Sequence, residues 1–219
     1  MTTQTEENYL KAIYKISEDE VTPVATNAIA KLLETSAASV TDMIKKLSKK
    51  KLINYRKHKG VTLTKIGTKL ATNLIRKHRL WEVFLTNKLN FTWDEVHAIA
   101  EELEHIKSDK LIDRLDKYLG NPKFDPHGDP IPDANGNFTS RKQIPLSDLE
   151  QKNKAIVVGV QTHTKAFLQH LDKLKLSLGS KIIVIDKQDF DNSVKIKIDK
   201  QKEVMISHKV ASNIFVQKN

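Results

Sequence analysis

Four residues in the stretch 93-WDEVHAIAEELEHIKSD-109 could hold a metal ion: His97, Glu101, Glu104 and His105. On one helix, at about 100° per residue, they fall within an arc of roughly 100°, and Val96, Ile99, Leu103 and Ile106 fall opposite. One face would pack while the other presents imidazole and carboxylate groups, a donor set suited to a divalent transition metal. The plainer alternative is a solvated polar face. Upstream, His78 and Glu82 stand one helical turn apart in 65-KIGTKLATNLIRKHRLWEVFLTNKL-89 and read either as a further donor pair or as a surface hydrogen bond. The chain has no cysteine, so disulfides and thiolate ligands are excluded and any metal must be held by nitrogen and oxygen.

Charge is the next signal. The 219 residues include 37 Lys and Arg against 27 Asp and Glu, a formal charge of +10 at pH 7. The excess is local: residues 41–60 hold eight bases against Asp42 alone, whereas residues 91–120 hold eight acids against four bases. A polyanion-binding segment followed by a cation-binding one is the simplest reading. No run approaches the length needed to cross a bilayer, and the opening MTTQTEENYL lacks an apolar signal core, so a cytoplasmic location with no membrane partner is expected.

The elements that must position these groups follow from periodicity. Helical spacing predicts helices over 5–17, 26–34 and 38–51, the last two separated by the break 35-TSA-37. Two short helices joined in this way, the second opening on small polar residues and ending in lysines, form a helix-turn-helix pattern. Ser36, Ser39 and Thr41 would approach base edges or phosphates, and Lys45 and Lys46 would neutralise the backbone. Residues 52–64 predict a hairpin around a basic turn, a wing whose Arg56, Lys57, His58 and Lys59 would lie along phosphates. The alternative is a two-helix packing element with solvated lysines. A long helix over 65–89 and an amphipathic segment over 109–120 flank the donor stretch. Residues 121–150 contain five of the six prolines and read as a turn followed by a tether. Beyond it, β-prone runs at 154–160, 181–186, 194–199, 203–207 and 214–216, with one helix near 164–175, suggest a small, partly open barrel.

The order of helix, helix-turn-helix, basic wing, 76-RKHRLWE-82, 97-HAIAEELEH-105, 126-PHGDPIP-132 and β-rich tail resembles the diphtheria toxin repressor family of metal-dependent transcriptional repressors, including its manganese-responsive branch. The resemblance covers nearly the whole chain. It implies a mainly α chain with a small β domain: a winged helix-turn-helix DNA-binding domain over 1–73, a helical dimerisation and metal-binding domain over 74–140, a linker over 141–152 and an SH3-like β-barrel over 153–219. It also implies a primary metal site of Asn8, Glu101, Glu104 and His105 and an ancillary site of His78, Glu82 and His97. In such proteins Asp is usual where Asn8 stands, and some manganese-responsive members carry Glu where Lys11 stands. Gln161 and His163 align only loosely with tail residues that lend ancillary ligands, and they read as surface residues.

The function these readings imply is a homodimeric, non-enzymatic repressor of metal-homeostasis genes, bound to double-stranded operator DNA, with Mn²⁺ or, second, Fe²⁺ as corepressor and no small organic substrate. Two rivals stand beside it. One is a winged-helix regulator governed by a partner protein instead of a metal. The other is a metal-dependent hydrolase, which would need an open coordination position, a bound water and a nearby base.

Overall fold

The computed structural model describes residues 2–17, 22–56, 59–199 and 203–218. Its contacts divide the chain into two units: 1–78, 101–112 and 132–138 form the first, and 79–100, 113–131 and 139–219 the second. These units interleave chain segments, whereas the boundaries expected at 73, 140 and 152 run in chain order.

The first unit begins with α1 (Gln4–Ile16). Thr3 and Glu6 cap it reciprocally: the Glu6 amide donates to the Thr3 hydroxyl at 3.3 Å and the Thr3 amide to the Glu6 carboxylate at 3.0 Å. α2 (Thr26–Leu32) and α3 (Ala37–Lys49) follow, with Ser36 capping α3 by accepting from the Ser39 amide at 3.1 Å. The hairpin of β1 (Ile53–Arg56) and β2 (Gly60–Leu63) pairs antiparallel, Ile53 opposite Leu63. Leu10, Ile13, Ile29, Val40, Ile44, Leu47 and Val61 fuse helices and hairpin into one core. The 25-residue α4 (Lys65–Leu89) leads out of this unit. The winged helix expected from the sequence is therefore present; Lys57 and His58 lie outside the described residues.

The helix expected over 93–109 is shorter. α5 spans Val96–Leu103, and Glu104 and His105 lie in the turn that ends it. Both breaks have local causes. Upstream, the Thr92 hydroxyl donates to Asp94 and Glu95 while the Thr92 amide donates to Glu95 at 3.0 Å, a closed turn before the helix. Downstream, Ser108 accepts from the Leu111 amide at 3.3 Å and starts α6 (Asp109–Tyr118), so the chain must turn between the two helices. The division between the units falls within α5, so that His97 belongs to the second and Glu101, Glu104 and His105 to the first.

The second unit carries a six-stranded antiparallel sheet of β3 (Ile144–Pro145), β4 (Lys154–Val160), β5 (Lys181–Lys187), β6 (Val194–Ile198), β7 (Glu203–Ile206) and β8 (Ile214–Lys218), in the spatial order β3-β8-β4-β5-β6-β7. The five expected strands all appear. β3 adds a short edge, pairing Ile144 with Val216. α7 (Lys165–Lys173) and the unexpected α8 (His208–Ser212), capped by Ser207, cover the core of Val157, Leu168, Leu171, Ile182, Val184, Ile196 and Ile214. No described helix is long and apolar enough to cross a membrane.

One buried ionic contact joins α1 to α3. Glu6 is 0% exposed, and its carboxylate accepts from Lys50 at 2.8 Å and lies 3.1 Å from the Lys46 ammonium. Burial pushes this carboxyl up, but the hydrogen bonds from Lys50, the Thr3 amide and Lys46 outweigh it and bring it down from 4.5 to about 2. A depressed folded-state value contributes stability that is present above the unfolded value and fades as pH falls through the folded one. Glu6→Gln should therefore cost about 1–2 kcal/mol at neutral pH. In melts taken over a pH series, the gap between the two proteins should be constant above the ordinary glutamate range and close as pH falls toward 2.

Candidate metal centres

In the first unit the centre of charge is Glu104, 1% exposed at its side chain, in the turn after α5. Its Oε2 accepts from the Lys11 ammonium at 2.6 Å and stands 2.6 Å from His78 Nδ1. Its Oε1 lies 3.9 Å from His105 Nε2. Burial raises this carboxyl, but His78 and Lys11 outweigh it and hold it below the ordinary glutamate value. Glu101, on the last turn of α5, is more open, its side chain 55% exposed, and reaches the group through Lys11, whose ammonium is 3.8 Å from Glu101 Oε1. Lys11 is also 3.4 Å from His78 Nδ1. A tethered cation thus sits among two carboxylates and an imidazole.

Of the residues expected at the primary site, the structure brings Glu104 and His105 side by side and joins Glu101 to Glu104 through Lys11. Asn8 is exposed on α1. The side chain of the preceding residue does reach in: Glu7 Oε2 lies 2.7 Å from His105 Nδ1. Glu7 was not among the candidates, because an acid in a first helical turn is explained by the helix dipole. Two carboxylates and an imidazole without sulfur are a donor set that fits a hard or borderline dication.

The second unit gathers another cluster. Of the residues expected at the ancillary site, Glu82 Oε1 lies 3.3 Å from His97 Nδ1, and His78 belongs to the first unit. Two residues without an assigned role join Glu82: Asp125 and His127 each offer a ligand atom within 4.8 Å of the others, and all three are buried. They come from the tight loop 125-DPHGD-129, closed by the His127 and Asp129 amides donating to Asp125 Oδ1 at 2.8 and 3.0 Å. His127 Nε2 donates to the Trp93 carbonyl at 2.8 Å, which leaves Nδ1 facing Glu82 Oε2 at 3.7 Å. His163, expected at the surface, keeps part of its ring exposed but stacks on His127 with centroids 4.7 Å apart. Gln161 is exposed as expected.

Buried acid dominates this cluster. Burial, Glu82 and Asp129 push Asp125 up to about 7, and although burial lowers His127, Glu82 and Asp125 outweigh it and bring it up to about 9. Arg79 supplies part of the compensation, 3.4 Å from Asp125 and 3.1 Å from Asp129. Groups that hold protons against buried negative charge would exchange them for a bound cation, so the donors fit a metal here too. The Pro-Gly loop motif was legible in the sequence, but its proximity to Glu82 was not.

The DNA-facing candidates are all on the surface where described. Ser36, Ser39, Thr41, Lys45 and Lys46 lie exposed at the start and along α3, and Arg56 and Lys59 flank the wing turn. Lys45 pairs with Asp42 on its own helix, at 3.2 Å. Lys46 instead meets Glu6, so it both anchors α3 and contributes positive surface.

Three family models match the chain. Residues 1–61 match the model of the iron-dependent repressor N-terminal DNA-binding domain, 64–133 that of the iron-dependent repressor metal-binding and dimerisation domain, and 144–218 that of the FeoA domain. The diphtheria toxin repressor of Corynebacterium diphtheriae is 31% identical over 194 residues, covering 84% of this chain and 85% of its own. The iron-dependent repressor IdeR of Mycobacterium leprae is 29% identical and covers 98% of this chain and 97% of its own. A solved manganese-dependent transcriptional repressor in complex with manganese superposes with a TM-score of 0.82 at 33% identity, covering 98% of this chain and all of its own.

The loop that presents His127 tolerates no side chain at its glycine. Gly128 has φ +90°, and a Cβ there would lie 2.2 Å from the Val158 carbonyl oxygen. Gly128→Ala should lose at least about 1–2 kcal/mol from backbone strain alone, with the steric clash adding to it. Urea denaturation should show a lower midpoint with an unchanged slope.

Proposed function

The chain belongs to the diphtheria toxin repressor family, whose members are metal-dependent DNA-binding transcriptional repressors and not enzymes, and from that premise we propose a homodimeric cytoplasmic repressor of metal-homeostasis genes. Its corepressor on this reading is Mn²⁺, with Fe²⁺ second. The donor types favour these ions: carboxylates and imidazoles with no sulfur suit hard and borderline dications.

The observation that carries the proposal is the position of α1. Its Glu7 and Lys11 reach His105 and Glu104, while its Glu6 grips Lys46 of α3 and Lys50, which caps that helix. A single helix therefore touches both the candidate primary site and the helix that would read operator DNA. A bound dication would supply fixed positive charge between carboxylate and imidazole groups. Glu101, Glu104 and His105 would hold it, with Asn8 as the α1 contributor carried by the family pattern. Lys11 already neutralises Glu101 and Glu104, so it must yield or share those oxygens. His78, Glu82 and His97 are the ancillary donors carried by the family pattern, and Asp125 and His127 lie beside Glu82.

Any coupling of this kind is reciprocal, so operator DNA should tighten metal affinity by the same factor that metal tightens DNA affinity. Ser36, Ser39 and Thr41 would face the major groove, with Lys45, Lys46, Arg56, Lys57 and Lys59 on phosphates and half-sites about one helical turn apart.

Gel-shift titrations across divalent ions at fixed salt test the reading. Mn²⁺ should strengthen operator binding and chelator should reverse it. Replacing both Glu104 and His105 by Ala should abolish the metal response. Operator affinity indifferent to Mn²⁺ and chelator would instead favour regulation by a partner protein. In the same assay Lys45→Ala should weaken binding uniformly across sequences and reduce the log–log salt slope by about 1.

A further inference from the structure

The family pattern places the α1 contribution at Asn8, yet the carboxylate that α1 brings to His105 is that of its neighbour Glu7. We propose that Glu7 is a positioning residue for metal binding: its carboxylate holds His105 Nδ1 and so aims Nε2 at Glu104. The inference rests on the metal reading above and gives a ligand-orienting role to a residue that reading uses only as a link between α1 and His105.

Three observations support it. Glu7 is held at both oxygens, Oε1 accepting from the Thr2 hydroxyl at 2.7 Å and Oε2 lying 2.7 Å from His105 Nδ1. The contact is sheltered, with the side chains of Glu7 and His105 only 15% and 7% exposed. Such a pair differs from an exposed ion pair, whose two long side chains drift in solvent. Third, the far side of the imidazole is left available. Nε2 stands 3.9 Å from Glu104 Oε1, the oxygen opposite the one that Lys11 and His78 occupy.

The chemistry follows from the two nitrogens of a neutral imidazole. When Nδ1–H donates to Glu7, the lone pair resides on Nε2 and points toward Glu104. A separation of 3.9 Å can be spanned by two ligand bonds of roughly 2.0–2.2 Å meeting at one ion. A carboxylate on the distal nitrogen of a ligating histidine fixes its tautomer and ring orientation and raises its basicity, and losing such a partner typically costs about 10–100-fold in metal affinity. Glu7 would therefore act through His105 without touching the ion. The contact also runs from α1 to the turn after α5, so the residue that orients the ligand belongs to the helix that grips α3.

Two readouts on the intact chain test this: Mn²⁺ binding followed by the EPR signal of the free ion, and ¹⁵N NMR of imidazole in the metal-free protein above the histidine range. Wild type should show His105 with its proton on Nδ1. Glu7→Ala should lose that bias and weaken the tighter Mn²⁺ site by about 10–100-fold. Glu7→Gln keeps an acceptor oxygen and should retain the tautomer and recover part of the affinity, with metal-free melting curves confirming that both variants fold. Wild-type affinity in Glu7→Ala overturns the inference. Equal losses in the Ala and Gln variants would make Glu7 a ligand in its own right and overturn the positioning role. The NMR arm needs no metal, so an Nδ1–H bias that Glu7→Ala abolishes, in a wild type that takes up no Mn²⁺, would sink the functional reading while upholding the Glu7–His105 link.

Discussion

A buried carboxylate has to be answered by positive charge or by protons, and in this protein Glu104 imposes that requirement on everything around it. Two oxygens with almost no solvent contact draw in Lys11 from α1, His78 from α4 and His105 from the same turn. Three chain segments distant in sequence are thereby fixed to one point. That point is also where a dication would do most, because interactions between charges strengthen as water is excluded. The ammonium of Lys11 occupies part of the same role without a metal, so α1 is already tied to the turn after α5 in the chain as described.

The same requirement is met differently in the second unit. Glu82 and Asp125 are buried together, and the compensation from Arg79 is incomplete, so Asp125 and His127 are both pushed toward their protonated forms. One cluster balances its acid with a lysine and the other with protons. The two should thus differ in how readily they exchange that balance for an ion, since displacing a tethered ammonium requires a side chain to move, whereas releasing protons does not.

Much of this was legible in the sequence, for identifiable reasons. α1, α3, α4 and the hairpin follow from apolar residues recurring at helical or alternating spacing, and the strands of the tail from β-branched runs between turn residues. What failed was continuity: the spacing of His97, Glu101, Glu104 and His105 persists through 93–109, but Thr92 and Ser108 divert the backbone into turns on either side of α5. Periodicity reports which residues would share a face if the helix continued, and carries no information about whether a hydroxyl will end it. The partnership of Glu82 with Asp125 and His127 was invisible for a different reason, being a long-range contact set by a loop whose motif had no assigned role. Glu7 was hidden because its type had a sufficient local explanation.

The chain's lack of sulfur at both clusters has a consequence for the conditions in which they can work. Thiolates climb an oxidation ladder from sulfenic to sulfonic acid, and a ligand lost in that way takes its metal with it. Glu104, His105, Glu82, Asp125 and His127 have no corresponding step, and the three methionines of the chain are not among the donors. Peroxide therefore finds no thiolate to carry up that ladder at either cluster, and no ligand there can be lost by that route.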